Sequence, residues 1–264
     1  PAGRPDGIPG IDVRDPAFGQ AARWISRGDR REAEELGYSV VDCPSVLATH
    51  MGEVLKVYAP ELITMQEVQR FLDKVESDSP AVIREVKERG ARLKDIQKVL
   101  QNLLRERVSI SNMERILELV AEHYQENMRH EMLTEHVRQG LAMQISNDLA
   151  AGGVLKVIEL DAELDALIND GIDYDVDGNL SANIEPEVIS GIISSVSDTI
   201  GGISDPEYSN VVICTAPIRG FLHQVFEKAF PSVRVISYNE VSRNVSLEIL
   251  GRLSLPEDAY ELAR

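Results

Sequence analysis

The run from Asp95 to Ile110, followed at once by SNMERILELVAEHY, limits the fold more than any other stretch of the chain. Ile96, Val99, Leu100, Leu103 and Leu104 fall at the i, i+3, i+4, i+7, i+8 spacing that lines one face of an α-helix. Ser111 stands three residues before Glu114, the pattern of a capping box, and Met113, Ile116, Leu117 and Val120 mark the inner side of a second helix. Two amphipathic helices joined by a short turn are helix-packing material. They carry no obvious catalytic group.

Residues 63–149 read as almost wholly helical. Thr64 and Glu67 form another capping box ahead of a stripe of Val68, Phe71, Leu72 and Val75. Ser79-Pro80 opens a short helix that Gly90 ends, and a long helix is expected from about Glu131 to Leu149. After Ala150-Ala151-Gly152-Gly153 the period changes. Val154–Leu160, Asn210–Thr215 and Val233–Ser237 are β-branched runs suited to a buried parallel sheet, with helical patterns at Glu187–Ile203 and Phe221–Phe230 between them. A last strand near Ser246–Ser254 belongs at an edge. Ahead of the helical stretch, residues 1–19 read as a loop, Trp24 and Ile25 close a short extended piece, and Asp29–Leu36 reads as a helix stopped by Gly37. Tyr38–Val41 reads as a strand and Pro44–Tyr58 as a helix with Val46, Leu47, Val54, Leu55 and Tyr58 as its apolar positions. The expected fold class is α+β and multi-lobed: a mainly helical middle domain, then a small α/β domain with a short, mostly parallel sheet.

Composition narrows the function. Lys and Arg number 27 against 44 Asp and Glu, a net charge of −17, which argues against nucleic acid or anionic membrane as the main partner. Residues 151–208 hold one Lys and 13 Asp/Glu, read as a solvated surface. No apolar run approaches the roughly 18 residues of a membrane span, and PAGRPDGIPG lacks the charged-then-apolar pattern of a signal peptide. Cys43 and Cys214 are too few and too far apart for a disulfide framework or a zinc site, so each is expected to be buried or half-buried in a reducing compartment.

Chemistry-bearing patterns are sparse. Asp173, Asp175, Asp177 and Gly178 match the first half of an EF-hand loop, but Ile184 occupies the position of the bidentate carboxylate, so the stretch reads first as an acidic turn. The five histidines show no metal-ligand spacing, and His130, Glu131, Glu135 and His136 read as the polar face of a helix. No phosphate loop, nucleophile elbow or Cys/His pair stands out. The helical pair from Arg92 to Tyr124 has nearly balanced charge, which favours packing over DNA binding. No enzyme, cofactor or metal is expected.

Five segments in one order carry a family likeness: DPAFG (Asp15–Gly19), VVDCPSVLATH (Val40–His50), IQKVLQNLLRERVSI (Ile96–Ile110), MLTEHVRQGL (Met132–Leu141) and SYNEV (Ser237–Val241). Together, from about Gly7 to Leu253, they resemble the cytosolic domain of the bacterial type III export-gate (FlhA/FHIPEP) family. The resemblance implies a cytosolic part of a membrane-anchored protein at the inner membrane, in which the cytosolic domains form a nine-membered ring. It implies four lobes, with residues 1–42 the remainder of an inserted second lobe and 43–62 the returning segment of a first lobe that would otherwise precede Pro1. Residues 63–142 would be a helical third lobe supplying ring contacts, and 143–264 an α/β fourth.

The resemblance further implies a docking groove for export chaperone–substrate complexes, lined by Asp15, Phe18 and Thr49. Phe18 would serve as an aromatic anchor, with Asp15 and Thr49 as polar contacts. Read without the resemblance, DPAFG is a turn with Phe18 tucked inward, and the Thr49 hydroxyl bonds back to its own helix. The chain departs from the family in Gln20-Ala21, where an apolar pair is common, and a further apolar groove residue would fall before the matched region. The expected role is a non-enzymatic docking and gating part of the export apparatus, partnering other export proteins, with lobe motion about residues 43–62 and 143–153. A virulence injectisome homologue, and a calcium-binding or hydrolytic protein using Asp173, Asp175 and Asp177, are the alternatives.

Overall fold

The computed structural model describes residues 7–17, 19–174, 180–203, 205, 208 and 210–255. It begins with a hairpin where the sequence reads as a loop. β1 (Ile11–Arg14) pairs antiparallel with β2 (Ala21–Trp24), Ile11 opposite Trp24 and Arg14 opposite Ala21. Four-residue strands between Gly and Pro are too short to show an alternation, which is why the sequence pattern misses β1. A cross-strand ion pair supports it: Arg23 Nε donates to its register partner Asp12 at 2.6 Å, and Arg23 Nη1 donates to the Ile8 carbonyl at 2.7 Å.

α1 (Arg30–Glu35) buries Ala33 and ends at Gly37, whose φ of +84° is the left-handed conformation glycine adopts without strain. Tyr38–Val41 pairs with no strand, so the β-branched signal there is not realised. α2 (Cys43–Leu62) starts on Asp42, whose carboxylate accepts from Ser45 N at 2.9 Å, with Pro44 in its first turn. It runs past Tyr58 to Leu62. The chain divides into two compact units, Pro1–Ile63 and Thr64–Arg264.

The second unit opens with six helices. These are α3 (Met65–Asp78), α4 (Pro80–Glu88), α5 (Leu93–Arg105), α6 (Met113–His123), α7 (His130–Gly140) and α8 (Ala142–Leu149). Thr64 caps α3 by accepting from Glu67 N at 3.2 Å. The stripes behave as the spacing demands: Ile96, Val99, Leu100, Leu103, Ile116, Leu117 and Val120 are all buried, while Leu104 and Met113 are half-buried.

Two local details differ from the sequence reading. Asn112, not Ser111, caps α6, accepting from Arg115 N at 3.3 Å, and Glu114 instead accepts from the Ser79 hydroxyl at 2.5 Å. Asn is as good a cap as Ser, and it sits one residue closer to the apolar period. The long helix expected over 131–149 is broken at Leu141, just after Gly140, a weak helix former that lies so close to α6 that a Cβ there would overlap Leu119.

Asp95 ties the bundle together at one end. Buried to 4% exposure, its carboxylate accepts from Arg92 N at 3.0 Å, Arg92 Nε at 3.1 Å and the Tyr124 hydroxyl at 3.1 Å, and faces His130 Nε2 at 3.0 Å. Burial alone would raise its pKa; the donors outweigh that and hold it below the ordinary range.

The α/β part is built on β3 (Val154–Leu160), α9 (Ala162–Gly171), the hairpin β4 (Ile172–Tyr174) and β5 (Leu180–Ala182), α10 (Pro186–Gly202), β6 (Val211–Cys214), α11 (Ala216–Ala229), β7 (Arg234–Ser237) and β8 (Ser246–Leu253). Four strands form a wholly parallel sheet in the order β7-β6-β3-β8, with β8 at the edge and an irregular register beside Val157 and Ile158. Ile158, Val212 and Val235 from the strands share one apolar core with Leu164, Ile192, Leu222 and Phe226 from the helices. Burial by helices is what parallel strands need, and it explains their unbroken apolar runs.

The helical layer meets the sheet layer through charge. Arg138 of α7 and Arg219 of α11 are 2% and 1% exposed. Arg219 Nη1 donates to Glu106 at 2.5 Å, and its Nε donates to Glu135 at 2.7 Å, with Nη2 on the same Glu135 carboxylate. Arg138 Nη1 lies 3.0 Å from Glu106 and Nε 2.6 Å from Glu240, at angles that make ion contacts rather than aligned hydrogen bonds. Both guanidiniums also reach the Val235 carbonyl in β7, at 3.4 and 3.3 Å. The second oxygen of Glu240 accepts from Ser237 N at 2.6 Å. Burial would raise the Glu106 pKa, but Arg138 and Arg219 outweigh it and hold the group well below its usual value.

Glu106 and Asp95 therefore stabilise the fold fully above the ordinary carboxylate range and lose that contribution progressively as pH falls from that range toward their own depressed values. Urea midpoints measured from pH 7 down to pH 3 should drop steadily below about pH 5. Asp95→Asn, which keeps the shape and removes the charge, should cost about 2 kcal/mol at pH 7 and flatten that acid limb.

Candidate functional site

Asp15 sits in the loop that joins β1 to β2, where the backbone must reverse within a few residues. Its carboxylate accepts from Ala17 N at 3.0 Å, an Asx turn, while Gly19 N donates to the Asp15 carbonyl and Asp15 N to the Gln20 carbonyl, each at 2.8 Å. Gly19 takes φ +68°, which closes the loop. Asp15 is half-buried and shapes the turn it was read from. Phe18 lies outside the described residues.

Thr49 falls in the second turn of α2 and is exposed. One turn on, Glu53 pairs with Lys56 at 2.6 Å on the same side of the helix. The opposite side is unusual. Leu47, Met51, Val54, Leu55, Tyr58 and Leu62 recur at helical spacing and are each between 41% and 60% exposed. Leu47, Val54, Leu55 and Tyr58, the apolar positions from which the helix is expected, are exposed on it. A continuous apolar stripe on the outside of a helix about 30 Å long marks an interaction surface. Cys43, expected to be at least half-buried, is exposed at the start of this helix, whereas Cys214 is buried in β6.

The structure places Asp15 and Thr49 within the same compact unit, one on a hairpin loop and one on the polar side of α2. Thr49 therefore faces away from the apolar stripe, which lies on the opposite side of α2. Asp173 lies in β4 opposite Ser181, and Asp175 and Asp177 lie outside the described residues. Among the described residues no group of three His, Cys, Asp or Glu is placed to hold a metal, and no helix is long and apolar enough to cross a membrane. The histidines of α7 are engaged: His136 stacks on His123 with ring centroids 5.0 Å apart, and His130 meets Asp95. Glu135, also read as a solvated face, is a ligand of Arg219.

Arg138 and Arg219 are what the sequence reading missed. The signal was present: each occupies a core-facing position, Arg138 one turn after Thr134 and beside Val137, Arg219 between Ile218 and Phe221, all of them buried. A charge on an apolar stripe calls for a buried partner.

The family model described as "FHIPEP family" matches residues 1–246. The flagellar biosynthesis protein FlhA of Bacillus subtilis is 36% identical over 252 residues, which cover 95% of this chain and 37% of that protein. The chain thus spans little more than a third of that relative's length. Among solved structures, the Chlamydia pneumoniae CdsV protein superposes with a TM-score of 0.83 at 24% identity, covering 95% of this chain and 71% of the other. Nonameric SctV-C of EPEC gives a TM-score of 0.74 at 23% identity, covering 96% and 76%. At that identity the likeness is one of fold, and the fold is the α+β, multi-lobed one described above.

Asp15→Ala removes the acceptor for Ala17 N and should cost about 1 kcal/mol in urea denaturation, whereas Asp15→Asn keeps the acceptor and should be nearly neutral.

Proposed function

The chain belongs to the FHIPEP family, and we propose that it is a cytosolic docking and gate component of the type III, flagellar, protein export apparatus. The observation that carries this is the 36% identity to FlhA of Bacillus subtilis along 95% of the chain. That relative is named for flagellar biosynthesis, which supports the flagellar reading over an injectisome one. In this proposal the surface bearing Asp15, Phe18 and Thr49 receives export chaperone–substrate complexes. Phe18 anchors the partner, and Asp15 and Thr49 orient it through polar contacts. The role is non-enzymatic: binding and delivery are its work, and other export-apparatus proteins share it.

Assembly into a ring at the cytoplasmic face of the inner membrane is part of the same proposal, supported by the nonameric SctV-C of like fold. The four-lobe division at residues 1–42, 43–62, 63–142 and 143–264 belongs to it as well. The outward apolar stripe of α2 supports reading 43–62 as a piece of a further lobe, since such a stripe needs cover.

The test is calorimetric titration of a four-lobe protein with a chaperone–filament subunit complex. Phe18→Ala and Asp15→Asn should each weaken binding about tenfold or more, an interface hot spot of about 1.4 kcal/mol upward. Asp15→Asn preserves the turn, so its loss reports on the contact. Unchanged affinity in both variants removes the docking assignment.

A further inference from the structure

The family resemblance implies lobe motion about residues 143–153, which hold a Gly-Gly pair between the helical layer and the α/β layer. The geometry points elsewhere. Gly152 and Gly153 adopt φ of +57° and +83° in a turn closed by Ala151 N donating to the Val154 carbonyl at 2.9 Å. Gly153 O accepts from Ser246 N of β8 at 3.0 Å, so the turn is pinned to the sheet edge.

We propose that residues 150–153 are a fixed turn, and that Arg138 and Arg219 form a crossed lock holding residues 65–149 and 154–253 as one moving body. The two arginines cross the boundary in opposite directions. Arg138 leaves the helical layer to meet Glu240 at 2.6 Å and the Val235 carbonyl at 3.4 Å. Arg219 leaves the α/β layer to meet Glu106 at 2.5 Å and Glu135 at 2.7 Å. Glu106 binds both arginines, so neither arm releases alone. At 1–2% exposure neither guanidinium meets water until the layers have already parted, and the full desolvation penalty opposes the first ångströms of opening. Outer contacts reinforce the seam: Ser242 N donates to Ser146 Oγ at 3.2 Å and Asn244 Nδ2 to Asn147 Oδ1 at 3.1 Å. The lock rests on this geometry alone and stands whatever the docking surface binds. Its consequence is that gating motion cannot be a flexing of these two layers about residue 150.

The test is the distance distribution between spin labels at Lys94→Cys and Lys228→Cys, both exposed positions, in the 264-residue chain carrying Cys43→Ser. The parent should give one narrow peak. Arg219→Lys keeps the charge but cannot bridge two carboxylates, and should at least double the width or add a second peak while far-UV helicity is retained. Should that variant fail to fold, Glu135→Gln, whose side chain is 29% exposed, should broaden the peak more mildly. A broad or two-peaked distribution in the parent overturns the lock. So does a peak as narrow in the folded variants as in the parent.

Discussion

Two guanidinium groups almost wholly removed from water hold the larger unit of this protein together. Everything that approaches them is arranged around the need to neutralise them: the end of α5 supplies Glu106, the middle of α7 supplies Glu135, and the short turn after β7 supplies Glu240. The Val235 carbonyl, in the middle of a parallel strand, takes up remaining donors from both. Three carboxylates against two arginines leave the buried cluster with surplus negative charge, and His223 beside Glu106 helps hold that group ionised.

Such a cluster is poor evidence of stability by itself, since well-packed apolar side chains of similar volume often serve as well or better. What charge adds is direction. An apolar interface tolerates sliding and rotation by a few ångströms, whereas a forked guanidinium between two carboxylates tolerates very little. The apolar stripes of α5 and α6 and the strand core decide that each layer folds. The arginines decide how one layer sits on the other. The smaller unit is organised on the opposite principle, with its long helix α2 leaving six large apolar side chains outward. One unit satisfies its charged groups internally and the other leaves a large apolar stripe exposed.

Much of this was legible in the sequence where the physics is local and periodic. The stripes of α3, α5 and α6, the three β-branched runs of the sheet and the stop at Gly90 follow from spacing and backbone preference alone. Misses came where a neighbour overrode the local pattern. The helix over 131–149 breaks beside Gly140, where Leu119 of another helix leaves no room for a side chain. The hairpin at Ile11–Trp24 depends on pairing across a loop, and Arg23 with Asp12 becomes meaningful only once the strands are opposite. Glu135 and His136 read as a polar face because a single helix does not show what packs upon it. The proposed docking residues are of a third kind: Asp15, Phe18 and Thr49 come only from the family likeness, and composition or periodicity does not single them out. The structure adds that Asp15 builds its own turn, so a test of the proposed contact needs a substitution that keeps the turn.

With the arginine lock closed, residues 64–255 should behave as one cooperative body across the Gly-Gly turn. Native-state hydrogen exchange measures this directly, through the opening free energies of core amides such as Leu100 in α5 and Val157 in β3. One shared opening free energy, falling together in both layers when Arg219 is replaced, is the predicted result. Two separate classes of protection that divide at residue 150, with Arg219 affecting only one of them, would contradict it.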